Sequence, residues 1–222
     1  MCVDKETSWT AAIAGTVVNG GILYNLQGDK SPGARSVRGV VVATQCVLAL
    51  QVIDALQWGN IERGTRKAWL DYAGAWVIML QPLLLVCAAW YSQGWKHPKH
   101  SVRGPAMNIV SVASLGFVLH ALLTTVKADL RPDADDRVCK AIQYDVMSDH
   151  WLVLYGAVCV AALALLASPL VGATAVALFG LSYLAGRVVV ADADCDVVST
   201  WLWSFCLTTC FLYTSYRVST WA

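Results

Sequence analysis

The stretch AWLDYAGAWVIMLQPLLLVCAAWY, Ala68 to Tyr91, decides the class of this chain. It carries one charged side chain, Asp71, near its start. It then runs apolar far enough to cross a bilayer core, which takes roughly 20 residues of helix. Six further stretches read the same way: Trp9–Leu26, Gly39–Trp58, Pro105–Val126, His150–Ala167, Pro169–Val190 and Val197–Tyr216. None alternates with period two, which argues against a β-barrel. Ser168-Pro169 separates the fifth stretch from the sixth, because the residue before a proline leaves the helical region. One helix through both would hold about 40 apolar residues, twice a span. The pattern predicts an all-α, polytopic transmembrane bundle of about seven helices, with six as the fallback count, in a single domain covering residues 1–222.

Composition points the same way. Hydrophobic residues make up 57% of the chain and charged ones 14%, against about 45–50% and 25% in soluble domains. Ten Trp and eight Tyr suit aromatic belts at two interfaces. A net charge of +1 gives no electrostatic reason to expect nucleic acid as a partner. Met1–Ser8 is short and polar, with no basic n-region and no cleavage pattern after the first apolar stretch, so that stretch is expected to be a retained helix.

The connections are short, as in Gly28–Gly33 and Gly94–Pro98, except for the acid-rich Lys127–Asp149. No internal repeat supports an inverted-repeat architecture. Let side A hold the N-terminus and side B the C-terminus. Side B then has Lys30, Arg35, Arg38, Lys96, Lys99, Arg103 and Arg217 against Asp29 alone, and nearly all the acids fall on side A. The bases of B crowd into two short loops, where Lys and Arg best fix orientation. The expected topology is N-out and C-in.

Several short motifs resemble those of an uncharacterised family, a domain of unknown function. Its members are small seven-helix membrane proteins of bacteria, protists and large DNA viruses. The matching residues are Met1-Cys2, Gln51, Leu80-Gln81-Pro82, Asp149-His150-Trp151 and Trp201-Leu202-Trp203-Ser204-Phe205. The resemblance implies a seven-helix topology and brings no activity with it. Cys2, Cys139 and Cys195 all fall on side A, where a disulfide is permitted if that face is external. The family position of Cys2 makes it the expected partner of Cys139, with Cys195 next. No CxxC or CxxH spacing points to zinc, and no metal or cofactor is expected.

Better-known seven-helix families fail on required residues. The last stretch has no Lys for a retinal Schiff base, no helix has the spaced arginines of a voltage sensor, and no H-x-x-x-H supports a zinc hydrolase. What remains is a set of polar groups inside the apolar stretches. Asn19, Gln45, Gln51 and Gln81 lie near the midplane. Interhelical hydrogen bonding explains them structurally, and a substrate or ion path explains them functionally. Pro82 is either a packing kink or a kink that opens a cavity beside Gln81.

A sharper constellation lies toward side A. Gln51, Asp54 and Trp58 share one face of the second helix at i, i+3 and i+7. Asp71, His120, His150, Arg187, Trp201 and Trp203 come from five other helices at similar depth. Arg187 needs a carboxylate or water there, and Asp54 or Asp71 is the natural partner. The structural reading is an ion-pair network with interfacial snorkelling. The functional one is a polar vestibule opening on side A. Three functions follow. The first is a channel or transporter for an ion, proton or small solute. The second is a receptor-like or assembly protein acting through its helices. The third is a membrane enzyme acting on lipid with His120 or His150 as base, although no nucleophile stands beside either in sequence. The expected partners are the lipid bilayer and the ion or solute, and homo-oligomerisation stays open.

Overall fold

A computed structural model of the protein describes residues 5–65, 67–95, 102–125, 149–189 and 209–221. They form seven helices and no strand: α1 Lys5–Asn25, α2 Pro32–Ile61, α3 Ala68–Ser92, α4 Arg103–Thr125, α5 Asp149–Ala164, α6 Pro169–Val189 and α7 Thr209–Trp221. Each coincides with or overlaps one predicted stretch. Two of them, α2 and α3, are long and apolar enough to cross a membrane, whereas the apolar parts of α5 and α6, Trp151–Ala164 and Pro169–Leu184, are shorter.

Where the residues on both sides of a boundary are described, the largest difference is at α2, which begins seven residues before the predicted Gly39. Ser31 has extended φ/ψ and its Oγ accepts from the Ala34 N–H at 3.1 Å. Pro32 follows in the first helical position, where its missing N–H costs nothing. The residues predicted as a turn thus include the start of the helix.

α2 and α3 form the central pair. α2 also packs on α1, α6 and α7, and α3 on α4 and α5. The contacts α4–α5, α5–α6, α6–α7 and α1–α7 complete the bundle. Close approach at the centre depends on Gly39, where a Cβ would stand 3.0 Å from the Ala88 carbonyl oxygen and 3.1 Å from its Cα. Small residues at such crossings let backbones meet.

Polar side chains fasten the two ends. On side B, Gln93 Nε2 donates to the Leu165 carbonyl at 3.0 Å. Ser92 Oγ accepts from the Ala167 N–H at 2.9 Å, and Ser36 Oγ from the Ser168 N–H at 3.2 Å. The α5–α6 turn is thereby held against the end of α3 and the start of α2. Also on side B, Tyr216 of α7 donates to the Asp29 carboxylate, and Ser31 Oγ lies 3.0 Å from the Tyr216 hydroxyl. On side A, Lys5 Nζ is 3.9 Å from Glu62, joining the start of α1 to the end of α2.

Candidate functional site

The side-A cluster is built on the end of α2 and the first turn of α3. Asp54 is 4% exposed, Asp71 5% and Gln57 fully buried. Gln51, one turn deeper, is buried too. Gln57 joins the two helices. Its Nε2 donates to Asp71 Oδ1 at 2.9 Å and to the Lys67 carbonyl at 3.3 Å, and its Oε1 accepts from the Lys67 N–H at 3.2 Å. Lys67 is the N-cap residue of α3 and has no capping side-chain bond of its own. Gln57 therefore satisfies a donor at the helix start that would otherwise need a cap. It follows Asp54 at i+3 on the same face, and that spacing was the signal available for it. Trp58 packs at the edge of the core.

A second group runs along α3, α4 and α5. His120 stacks on Trp151, with ring centroids 4.0 Å apart and planes 22° apart. Phe117 meets Trp151 edge-on at 5.9 Å and Tyr155 at 5.6 Å. Tyr155 is fully buried, and its hydroxyl donates to Gln81 Oε1. The other end of that amide, Gln81 Nε2, is buried with no hydrogen-bond partner among the described residues. The next residue, Pro82, offers no N–H to the Ile78 carbonyl one turn back. A buried amide donor and a carbonyl deprived of its helical donor thus lie within one turn of each other. Tyr155 was not foreseen, since a single Tyr in an apolar run reads as packing.

No family model, curated protein or solved structure matches this chain.

The midplane residues divide in two. Asn19 and Gln45 belong to a chain of bonds across three helices. Thr209 Oγ1 donates to Asn19 Oδ1 at 3.0 Å, Asn19 Nδ2 to Gln45 Oε1 at 3.1 Å, and Gln45 Nε2 to Thr16 Oγ1 at 2.8 Å. For these two the structural reading holds. Gln81 keeps an open donor. Of the remaining candidates, Trp201, Trp203, Cys2, Cys139 and Cys195 lie outside the described residues, as do the side chains of His150 and Arg187. The expected pairing of Arg187 with Asp54 or Asp71 and the expected disulfide fall there. Cys46, Cys87 and Cys159 are free thiols. Among the described residues, no three His, Cys, Asp or Glu side chains gather as a metal set.

Proposed function

We propose that the chain is a multi-pass membrane protein, N-out and C-in, that passes a proton, ion or small solute through a polar vestibule at the side-A ends of α2 and α3. The distribution of side chains supports the membrane setting. Ile13, Val17, Ile109, Val112, Val153 and Phe211, spread over four helices, point outward, while Ser8, Asn19, Thr44, Gln51 and Ser114 are buried. Apolar surface on this scale suits a lipid solvent, and interior polar groups then bond between helices.

The observation that carries the transport reading is the burial of Asp54 and Asp71 on the two central helices. A carboxylate in a low-dielectric interior is protonated, paired with a cation or bound by several donors. Intramembrane acids commonly mark ion or proton pathways for that reason. Gln57 supplies one donor to Asp71, and Gln51 continues the polar face one turn inward. Gln81, with its unused donor, is the next polar group along α3 from Asp71.

The test is flux into liposomes containing the purified chain, followed with a pH-sensitive dye and with a panel of monovalent cations. Asp71→Asn and Asp54→Asn should each reduce flux to background while the protein still inserts. Unchanged flux in both variants, or no flux from the unaltered chain under any gradient, sinks the transport reading. Protease added outside intact cells should cut within residues 127–149. Cleavage there only after the cells are opened would reverse the orientation.

A further inference from the structure

We infer that a groove on the side-B half of α1, α2 and α3 binds an anionic phospholipid, with the phosphate at Arg38 and an acyl chain along the α2–α3 seam. The inference rests on reading α2 and α3 as membrane spans. The groove has a volume of about 400 Å³, within the range of about 300–1,000 Å³ usual for ligand pockets. Its floor is made of Gly39, Ala43 and Ala88, small residues at the tight α2–α3 crossing. Leu23 of α1, Val42 of α2 and Leu84 of α3 form the walls. Tyr91 stands two turns nearer side B than Leu84, roughly 10 Å along the helix. That is the reach of the upper part of an acyl chain, open along its length to the surrounding bilayer.

The mouth of the groove is cationic and aromatic. Arg38 lines it, and its Nε is buried without a hydrogen-bond partner among the described residues. One terminal nitrogen, Nη2, donates to the Asp29 backbone carbonyl at 2.7 Å. The Asp29 carboxylate is turned elsewhere, to the Ser31 N–H and the Tyr216 hydroxyl. Arg38 is thus held in place by a neutral carbonyl; its charge acts on the Asp29 carboxylate only at a distance, and among the described residues no carboxylate pairs with it directly. Arg35, whose Nε is also buried without a partner among the described residues, lies beside the next turn, with Nη1 3.6 Å from the place a Cβ on Gly94 would occupy. Lys30 precedes both in the chain against the single acid Asp29.

Trp95 completes the rim. It is 65% exposed and has φ of 59°, a left-handed conformation that a bulky residue adopts only under constraint. Gly94 before it is left-handed too, and the Trp95 N–H bonds back to the Trp90 carbonyl at 3.0 Å. The turn spends backbone strain to place an indole on the rim of the groove that Arg38 also lines. Apolar groove, interfacial aromatics and a fixed cation are complementary to a phospholipid of negative headgroup, the type that draws basic residues to a cytoplasmic leaflet.

The test uses the full chain in vesicles of equal parts dioleoyl phosphatidylglycerol and dioleoyl phosphatidylcholine, extracted gently and weighed intact by native mass spectrometry. The unaltered chain should retain phosphatidylglycerol over phosphatidylcholine by about fivefold or more, the factor expected for each basic residue at such a surface. Arg38→Gln should level that preference. Cys87→Trp, which fills the groove from an exposed position, should reduce retention of both lipids, and Val42→Trp, also exposed, should do the same from the opposite wall. Arg63→Gln in the α2–α3 turn should change nothing. Equal retention by the unaltered chain, a preference that survives Arg38→Gln, or full retention in both tryptophan variants overturns the site. A chain released from membranes by alkaline carbonate would instead defeat the membrane reading, which separates the two failures.

Discussion

Gln81 and Tyr155 are a buried pair with one bond between them and one amide donor unused. Removing one partner from such a pair is more damaging than removing both, because a desolvated polar group is left behind. Tyr155→Phe should therefore lower stability by about 1–3 kcal/mol. Adding Gln81→Leu should return much of that loss. Thermal unfolding in detergent checks this, followed by the reaction of a thiol dye with Cys159, which is fully buried in the fold. A double variant no more stable than Tyr155→Phe alone would mean that the amide has further bonds. The same pair bears on transport. If Gln81 meets a passing solute, the double variant should still slow flux although much of its stability is regained, which a purely structural amide would not give.

At the scale of elements, the α2–α3 crossing is a tight joint. Gly39→Ala adds a methyl against backbone atoms of Ala88 and should cost about 1–3 kcal/mol through overpacking. Gly20→Ala, in the middle of α1 with open space around it, should instead stabilise by about 0.5–1 kcal/mol through helix propensity. The two substitutions are chemically identical, so a melting comparison isolates the joint. Equal effects would mean that α2 and α3 can separate freely. The helices themselves were legible because a bilayer-length apolar run is a coarse and redundant signal. The start of α2 was not, because Gly28–Gly33 contains turn residues and Pro32 serves equally in a turn or at a helix start. The importance of Asn19 and Gln45 was legible from polarity in an apolar run. Their partners Thr16 and Thr209 were not, since a Thr in a helix ordinarily bonds its own backbone and announces nothing. Gln57 shares the Asp54 face at i+3, but an amide at a helix end ordinarily faces water, and its bonds to Lys67 and Asp71 depend on how α3 packs.

For the molecule as a whole, the side-B cluster of Asp29, Ser31 and Tyr216 couples the α1–α2 turn to the last helix. The Tyr216 hydroxyl bond is the main influence holding the Asp29 carboxyl below its ordinary 3.8, followed by the Ser31 N–H. A carboxyl depressed in the folded state contributes stability above its unfolded value, and that contribution is lost as pH falls through the lower folded value. Acid should thus loosen α7 from the α1–α2 turn only below about pH 4. Tyr216→Phe should reduce stability at neutral pH and make the acid loss shallower. A melting series from pH 3 to 7 measures both, and parallel curves for the two proteins would remove the coupling. The two candidate sites described here lie at opposite ends of the same central pair, the acids toward side A and the groove toward side B. Lipid identity at one end and flux at the other can therefore be varied in one preparation, and Arg38→Gln provides the means.

The fastening of the α5–α6 turn has a consequence for how the chain is made. Ser36, Ser92 and Gln93, which grip that turn, all belong to the first half of the sequence. They leave the ribosome well before the residues they hold. The hairpin of α2 and α3 can thus form before the later hairpin arrives, and it holds that hairpin through backbone groups of Leu165, Ala167 and Ser168. Assembly in the order of synthesis would make the earlier half a template for the later one, and Ser36→Ala with Ser92→Ala should then slow the docking of the α5–α6 hairpin in pulse-labelled chains.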